Sequence, residues 1–392
     1  MVLDICITVI VLMVGFNLKN WFGGFSTYEK SVLNKLFFYH FFIGITFHFF
    51  IVTNGGDATL YWEFPKLNDF NVIIDTIKSG SASGYIFLIN YFPSKVINLS
   101  FFTGNMIYTL FGYMGFIYLF KIAKEQIPEL DSLRSKRFFG IPIYPWIWFL
   151  PNLHFWSCGI GKDTILFLSI SLFVFSIYNF RKRWLLLVIS LIFSLTIRPH
   201  IILFLLVAFG IGYTFDVKLK LYKRVLIFLI FFAGFIAIFP YVLDFIKLEN
   251  FEFNAIEQYT NNKAAKLNKA GAESGIDISG YPLSLKIFTF LFRPLFFDIN
   301  GFLAVLSSFE NLTLLSYTIF ILFRKPFTAF KKANYIIKGM IIYFAIGSLA
   351  FSLILGNLGI MLRQKNQLFP LFIIFSLWTI SCYIQRNKNY LK

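Results

Sequence analysis

Long apolar runs separated by short basic stretches recur along almost the whole chain. They lie near 2-17, 36-53, 101-120, 138-157, 164-180, 184-197, 200-216, 225-246, 302-323, 339-356 and 367-385. A helix rising about 1.5 Å per residue needs roughly 20 apolar residues to cross about 30 Å of hydrocarbon. Inside a bilayer each backbone amide must find its partner within the segment, so the runs are read as helices. The pattern predicts an all-α fold, a polytopic transmembrane bundle of about eleven spans (roughly 10 to 13) forming a single integral membrane domain over 1-392. Two further segments, 84-98 and 284-297, are apolar but broken and read as re-entrant or interfacial.

Polar positions carve out two longer connections. In the first, 54-100, Asn54-Gly55-Gly56-Asp57 reads as a turn and Ser79 to Gly84 as a flexible joint. Between them, Tyr61 to Lys78 sets Leu67, Phe70, Ile74 and Ile77 at helical spacing, with Glu63, Lys66 and Asp69 elsewhere on the wheel. That spacing predicts an amphipathic helix lying at an interface. The second, 247-286, carries Glu249, Glu252, Glu257, Lys263, Lys266 and Lys269 on a polar helical stretch, followed by loop from Gly271 to Tyr281. Connections of this length are functional lids or disordered connectors, and both readings stay open. No internal repeat with a regular period is evident.

Composition agrees with the pattern: 58% of residues are hydrophobic and 14% charged, against about 45–50% and about 25% in soluble domains. Val2 to Asn17 lacks a basic leader and a small-residue cleavage pattern, so it reads as a retained span rather than a signal peptide. Cys6, Cys158 and Cys382 are isolated, which suggests neither a disulfide frame nor a metal site. The 55 phenylalanines, alongside abundant Lys, Ile and Asn, point to an AT-rich genome rather than to an aromatic-binding function.

Charge then orients the bundle. Segments 18-35, 121-137, 181-183, 216-224, 324-338 and 386-392 alternate onto one side and hold 23 of the 36 basic residues with 5 of the 19 acidic ones. That side is +18 (23 − 5), while the other is −1 (13 − 14). Cytoplasmic loops are the basic ones, so the amino terminus is expected outside and the carboxyl terminus inside, with 54-100 and 247-286 external. The basic charge speaks for orientation and anionic membrane lipid, and no nucleic-acid partner is expected.

Four polar pieces are expected on the external face. Asp57, after two glycines, is either a general base toward a hydroxyl or the N-cap of the amphipathic segment. In Pro151 to Asp163, Gly159 and Gly161 bring Lys162 and Asp163 to a helix start. Asp163 reads as a capping residue, and Lys162 as a phosphate ligand or a lysine reaching for water. Arg198-Pro199-His200 sits between two apolar runs with no hydrophilic loop around it. A cation at a membrane lip has a partner or a task, and the guanidinium fork matches phosphate oxygens. His200 donates to the same anion, moves a proton, or is structural. The fourth piece, Arg363 to Gln367, is external and basic against the trend, as an anion clamp or an interfacial anchor. Arg293-Pro294 is a further candidate with Asp298 as an ion-pair partner, and Glu310 pairs with a cation or contacts substrate. His40, His48 and His154 lack metal-ligand spacing and read as packing or interfacial residues, so no metal and no cofactor is indicated.

On Gly56-Asp57 with Tyr61, Trp156 to Asp163, Arg198-Pro199-His200, Arg293-Pro294 and Arg363, the chain resembles the bacterial polytopic glycosyltransferases of the C type and the neighbouring O-antigen and exopolysaccharide polymerases. The resemblance is architectural over most of the chain and weak in motif. Two spans precede the acidic loop and no paired Asp-Asp or Asp-Glu follows it, which keeps the polymerase reading open. The resemblance implies a multi-pass protein of the bacterial cytoplasmic membrane. Its implied partners are a donor sugar linked to a polyprenyl phosphate or diphosphate, a glycan acceptor and membrane lipids. It further implies Asp57 as catalytic base and Lys162, Arg198, His200, Arg293 and Arg363 as ligands of the lipid phosphate. A transporter or lipid-linked oligosaccharide flippase is the competing class, and a non-catalytic envelope scaffold a third.

Overall fold

The structure, a computed structural model, describes residues 2–216, 220–246, 274–299 and 301–390. The candidate polar stretch Glu249 to Lys269, and the expected second connection as far as residue 273, lie outside the described residues. The fold is nearly all-α. Seven helices among the described residues are long and apolar enough to cross a membrane: Val2–Trp21, Thr27–Asn54, Phe101–Gln126, Leu221–Pro240, Leu303–Leu322, Tyr335–Ile354 and Phe369–Arg386. The runs at 164-180, 184-197 and 200-216 form helices Lys162–Tyr178, Phe180–Ile197 and Pro199–Thr214, of 17, 18 and 16 residues.

The run at 138-157 is not one helix. Arg137–Phe138 pairs antiparallel with Ile141–Pro142 across Phe139 and Gly140, both with positive φ (48° and 78°), the geometry of a tight two-residue hairpin turn. Short helical pieces follow at Ile143–Trp146, Ile147–Phe149 and Pro151–Phe155. Pro142, Pro145 and Pro151 cause the breaks, because each removes an amide donor and restrains the residue before it.

The chain divides into two compact units, Met1–Ile122 with Pro145–Arg198, and Ala123–Tyr144 with Pro199–Lys392. In the first, Thr27–Asn54 starts at a reciprocal capping box between Ser26 and Glu29 and stops at Gly55, whose φ of 75° suits glycine. Glycines on Phe101–Gln126 let its neighbours close in. A Cβ at Gly104 would meet the Trp62 ring at 2.5 Å, and one at Gly112 would lie 1.8 Å from the Ser157 carbonyl. Small residues of this kind are what membrane helices use to approach one another.

The first connection folds as three helices rather than the one expected amphipathic helix, Asp57–Leu67, Phe70–Lys78 and Ala82–Asn90, the last running on into a π-helical turn at Tyr91–Val96. The break falls at Asn68 and Asp69, both extended. The face turned inward on the second helix is that of Ile73, while Leu67 and Phe70 are exposed. Pro65 lies inside the first of these helices and has no N–H for the Tyr61 carbonyl. The buried Asn90 amide donates to that oxygen instead (2.9 Å), and Asn90 Oδ1 accepts from the Tyr108 hydroxyl (3.0 Å). A gap in the ladder is thereby filled from the next helix but one.

The two ends of this unit differ. At one, Lys121 Nζ donates to the Phe22 carbonyl (2.8 Å), and Lys121 and Arg183 both face the Phe175 ring. At the other, Ser100 N–H donates to Asp4 (2.6 Å), Trp62 meets Gly104, and Gly161 lies against Tyr61. Residues 145–158 run alongside the helices, and His154 Nδ1 lies 2.8 Å from His40 Nδ1 halfway along Thr27–Asn54. The outer nitrogens of this buried pair face the Thr109 and Trp148 carbonyls at 3.1 and 2.8 Å.

In the second unit, Pro199–Thr214 packs against Tyr335–Ile354 with almost no intervening side chain, since Gly212 and Gly339 face each other. Lys338 Nζ donates to the Phe215 carbonyl (2.8 Å). The segment Ala123–Tyr144 joins this unit through Asn334 to Gln126 (2.8 Å), Ser381 to the Pro128 carbonyl (2.7 Å), and Phe138 against Tyr317.

Candidate functional site

The sequence-derived candidates divide between the units. Asp57, Lys162 and Arg198 belong to the first, and His200, Arg293 and Arg363 to the second.

In the first unit the backbone places them in succession. Gly159 and Gly161 lead into Lys162–Tyr178, so Lys162 and Asp163 occupy its first turn. Lys162 is half-buried, with Nζ donating to Ser83 Oγ (3.1 Å) and standing 5.7 Å from the centre of the Tyr61 ring. Tyr61 lies one helical turn beyond Asp57, which heads Asp57–Leu67 and is exposed. Residues four apart share a helix face, so Asp57 and the buried Tyr61 ring lie on the same side of Asp57–Leu67. Beside Lys162, Asp163 Oδ1 meets Arg198 Nη2 at 3.2 Å, with the two side chains only 7% and 13% exposed. Arg198 is aimed there because Pro199, unable to continue Phe180–Ile197, turns the chain at its C-cap.

The anion opposite Arg198 in this structure is therefore a carboxylate of the same chain. Asp163, read from sequence as a helix cap, does both: it complements the positive helix terminus and holds the guanidinium. Lys162, Asp163 and Arg198 together carry a formal charge of +1 at that terminus, an arrangement that favours a further anion.

The second unit has a different cluster. Arg293 grips Asp298 through two nitrogens, Nε to Oδ2 at 3.0 Å and Nη2 to Oδ1, and Asp298 Oδ2 also accepts from Leu295 N–H (2.9 Å). The Asp298 carboxylate raises the Arg293 pKa further and closes the turn that follows Leu283–Phe292. His200, in the first turn of Pro199–Thr214, sets its ring edge-on to Phe204 and Phe351, at 5.9 and 6.0 Å.

Arg363 is half-buried on Leu358–Lys365, while its neighbour Lys365 is fully enclosed. Lys365 Nζ donates to the Leu291 carbonyl (3.2 Å), the Arg293 carbonyl (3.1 Å) and Asn311 Oδ1 (2.8 Å). Those three acceptors use every hydrogen of an ammonium. Burial still pushes its pKa down to about 7, against the pull of Glu310. Sequence reasoning named the Arg363 to Gln367 stretch and missed which cation goes inside. Among the described residues no group of three or more His, Cys, Asp or Glu side chains is arranged to hold a metal ion.

Comparison with protein-family models, with curated proteins and with solved structures gives no match.

Proposed function

We propose that the protein is a glycan-building transferase of the bacterial cytoplasmic membrane, taking a sugar from a polyprenyl-phosphate-linked or diphosphate-linked donor at the external surface. The observation that carries this reading is an exposed Asp57 one helical turn before Tyr61, whose buried ring lies under Lys162 beside the Asp163–Arg198 pair. A base and a net positive helix terminus are what this transfer requires.

In the proposed step, Lys162 and the first amides of its helix hold the lipid phosphate, with Arg198 adding positive potential beside it. The acceptor hydroxyl oxygen attacks the anomeric carbon as Asp57 takes its proton. The bond from that carbon to the phosphate oxygen breaks, and its electron pair leaves on the lipid phosphate. His200, Arg293 and Arg363 belong to the second unit and are left out of this step. Eleven crossings, amino terminus outside, complete the proposal, with the broken segment Ile143–Phe155 as the fourth. The alternation of charge along the chain, which puts 23 of the 36 basic residues on one side, supports it through the positive-inside rule.

The test replaces the chromosomal gene with Asp57→Asn and measures surface glycan together with protein abundance. The expected result is a loss of product of about a hundredfold or more with unchanged abundance. Near-normal glycan would remove Asp57 from the chemistry. Purified protein that moves a lipid-linked sugar across a nanodisc or vesicle membrane without lengthening any glycan would favour the transporter class instead.

A further inference from the structure

The second unit holds a cation cluster that the proposed transfer does not use. Arg324, Lys325, Lys332 and Arg386 line one half-open cleft together with Thr328 and Tyr383. It is a shallow notch of about 20 Å³, and among the described residues no carboxylate lines it. The chain after Glu310 contains no Asp or Glu at all. Glu129 and Asp131 belong to the turn packed on the last helix, but neither lines the cleft, and Asp131 pairs with Arg134.

The cleft is a built feature. Leu303–Leu322 ends just before it, Lys325 adopts a left-handed conformation (φ 59°), and the chain turns into the short helix Pro326–Lys332. Trp378 Nε1 donates to the Ala329 carbonyl (3.1 Å), which pins that short helix to Phe369–Tyr390. The Arg324 guanidinium lies 4.5 Å from the Phe320 ring centre and 4.8 Å from that of Tyr383. Two aromatic faces orient it without consuming its hydrogen-bond donors.

Position identifies the kind of anion. The cleft lies where two apolar candidate spans end, at Leu322 and Arg386, and Phe323 and Phe327 beside it are 78% and 81% exposed. Charge in a notch with bare aromatic side chains at its rim matches a headgroup phosphate whose acyl chains lie along the protein. We propose that this cleft binds the phosphodiester of an anionic phospholipid. Such a lipid would fasten the short helix to the last span and screen cations that otherwise repel one another.

The test uses the full chain purified in detergent, with phosphatidylglycerol, phosphatidylcholine and inorganic phosphate as probes, read by thermal unfolding and by native mass spectrometry. Phosphatidylglycerol is expected to raise the Tm saturably and to remain bound, with phosphatidylcholine and phosphate giving neither effect. Arg324→Gln or Lys332→Gln should weaken phosphatidylglycerol roughly fivefold each, from about 1 kcal/mol per cation near a lipid surface. Should Arg324→Gln fail to fold, Lys325→Gln, at an exposed position, carries the same expectation. Equal effects of the two lipids, or unchanged binding in the variants, would overturn the proposal. Stabilisation by millimolar phosphate equal to that by the lipid would overturn the lipid source.

Discussion

Arg198 is held in the first unit by Asp163 at 3.2 Å, with little of either side chain in contact with solvent. Removing one member of such a pair leaves a charge enclosed without its counterion, which costs about 3 kcal/mol or more, whereas removing both together costs less. Asp163→Asn should therefore lower the Tm in detergent by several degrees, and Asp163→Asn with Arg198→Met should recover part of the loss. A thermal double-mutant cycle measures the coupling directly. If the proposed transfer holds, Arg198→Lys should also weaken binding of the lipid-linked donor, because a point charge does not replace the planar fork. The sequence marked Arg198, since a cation between two apolar runs stands out, but its partner lies 35 positions earlier and nothing local links them. Arg363 and Lys365 teach the same lesson. Two residues apart on a helix they point about 200° away from each other, so one is half-exposed and the other enclosed. A stretch of consecutive polar residues does not reveal which side faces inward.

The elements that were legible are those dominated by a single periodicity. The long apolar helices emerge near their expected places because burial of an uninterrupted run outweighs local preferences. The segment 138-157 is as apolar as they are, yet its three prolines and the Phe139-Gly140 turn decide its form. The amphipathic segment was legible as helix and illegible at its break, where Asn68 and Asp69 interrupt two short helices without any glycine or proline between them. Packing between elements supplies a sharper test. A methyl group at Gly112 would collide with the Ser157 backbone carbonyl, and a backbone atom cannot swing aside as a side-chain tip can. Gly112→Ala should destabilise by about 1–3 kcal/mol through overpacking, seen as a lower Tm and reduced folded yield. Gly234→Ala, whose added Cβ would meet only the Leu206 side chain at 3.5 Å, should leave both within error.

At the scale of the molecule, membrane character was legible from composition and pattern, and the interleaving of two units was not, because hydropathy carries no information about which runs share a core. Residues 123–144 lie in sequence within the first unit and in space within the second. A chain ended after Leu368 lacks the Ser381 bond to Pro128 and the last helix against which the Leu130–Ser135 turn packs. Its Arg134, Lys136 and Arg137 should become trypsin sites in isolated membranes, with cleavage read by immunoblot against the full-length chain.

The same interleaving sets a timetable for biosynthesis. The Pro128 carbonyl leaves the ribosome 253 residues ahead of the serine that caps it. At about 5–20 residues per second that is a wait of roughly ten to fifty seconds. During that interval a basic, partly apolar hairpin stands finished but unclaimed while the helices of the described chain from Ile143–Trp146 onward are made. The first unit can close as soon as Arg198 emerges, whereas the second must keep its opening segment available until the helix Phe369–Tyr390 is made. Assembly of this protein is thus ordered by the ribosome, first unit before second, and its vulnerable species is a nascent chain rather than a released one.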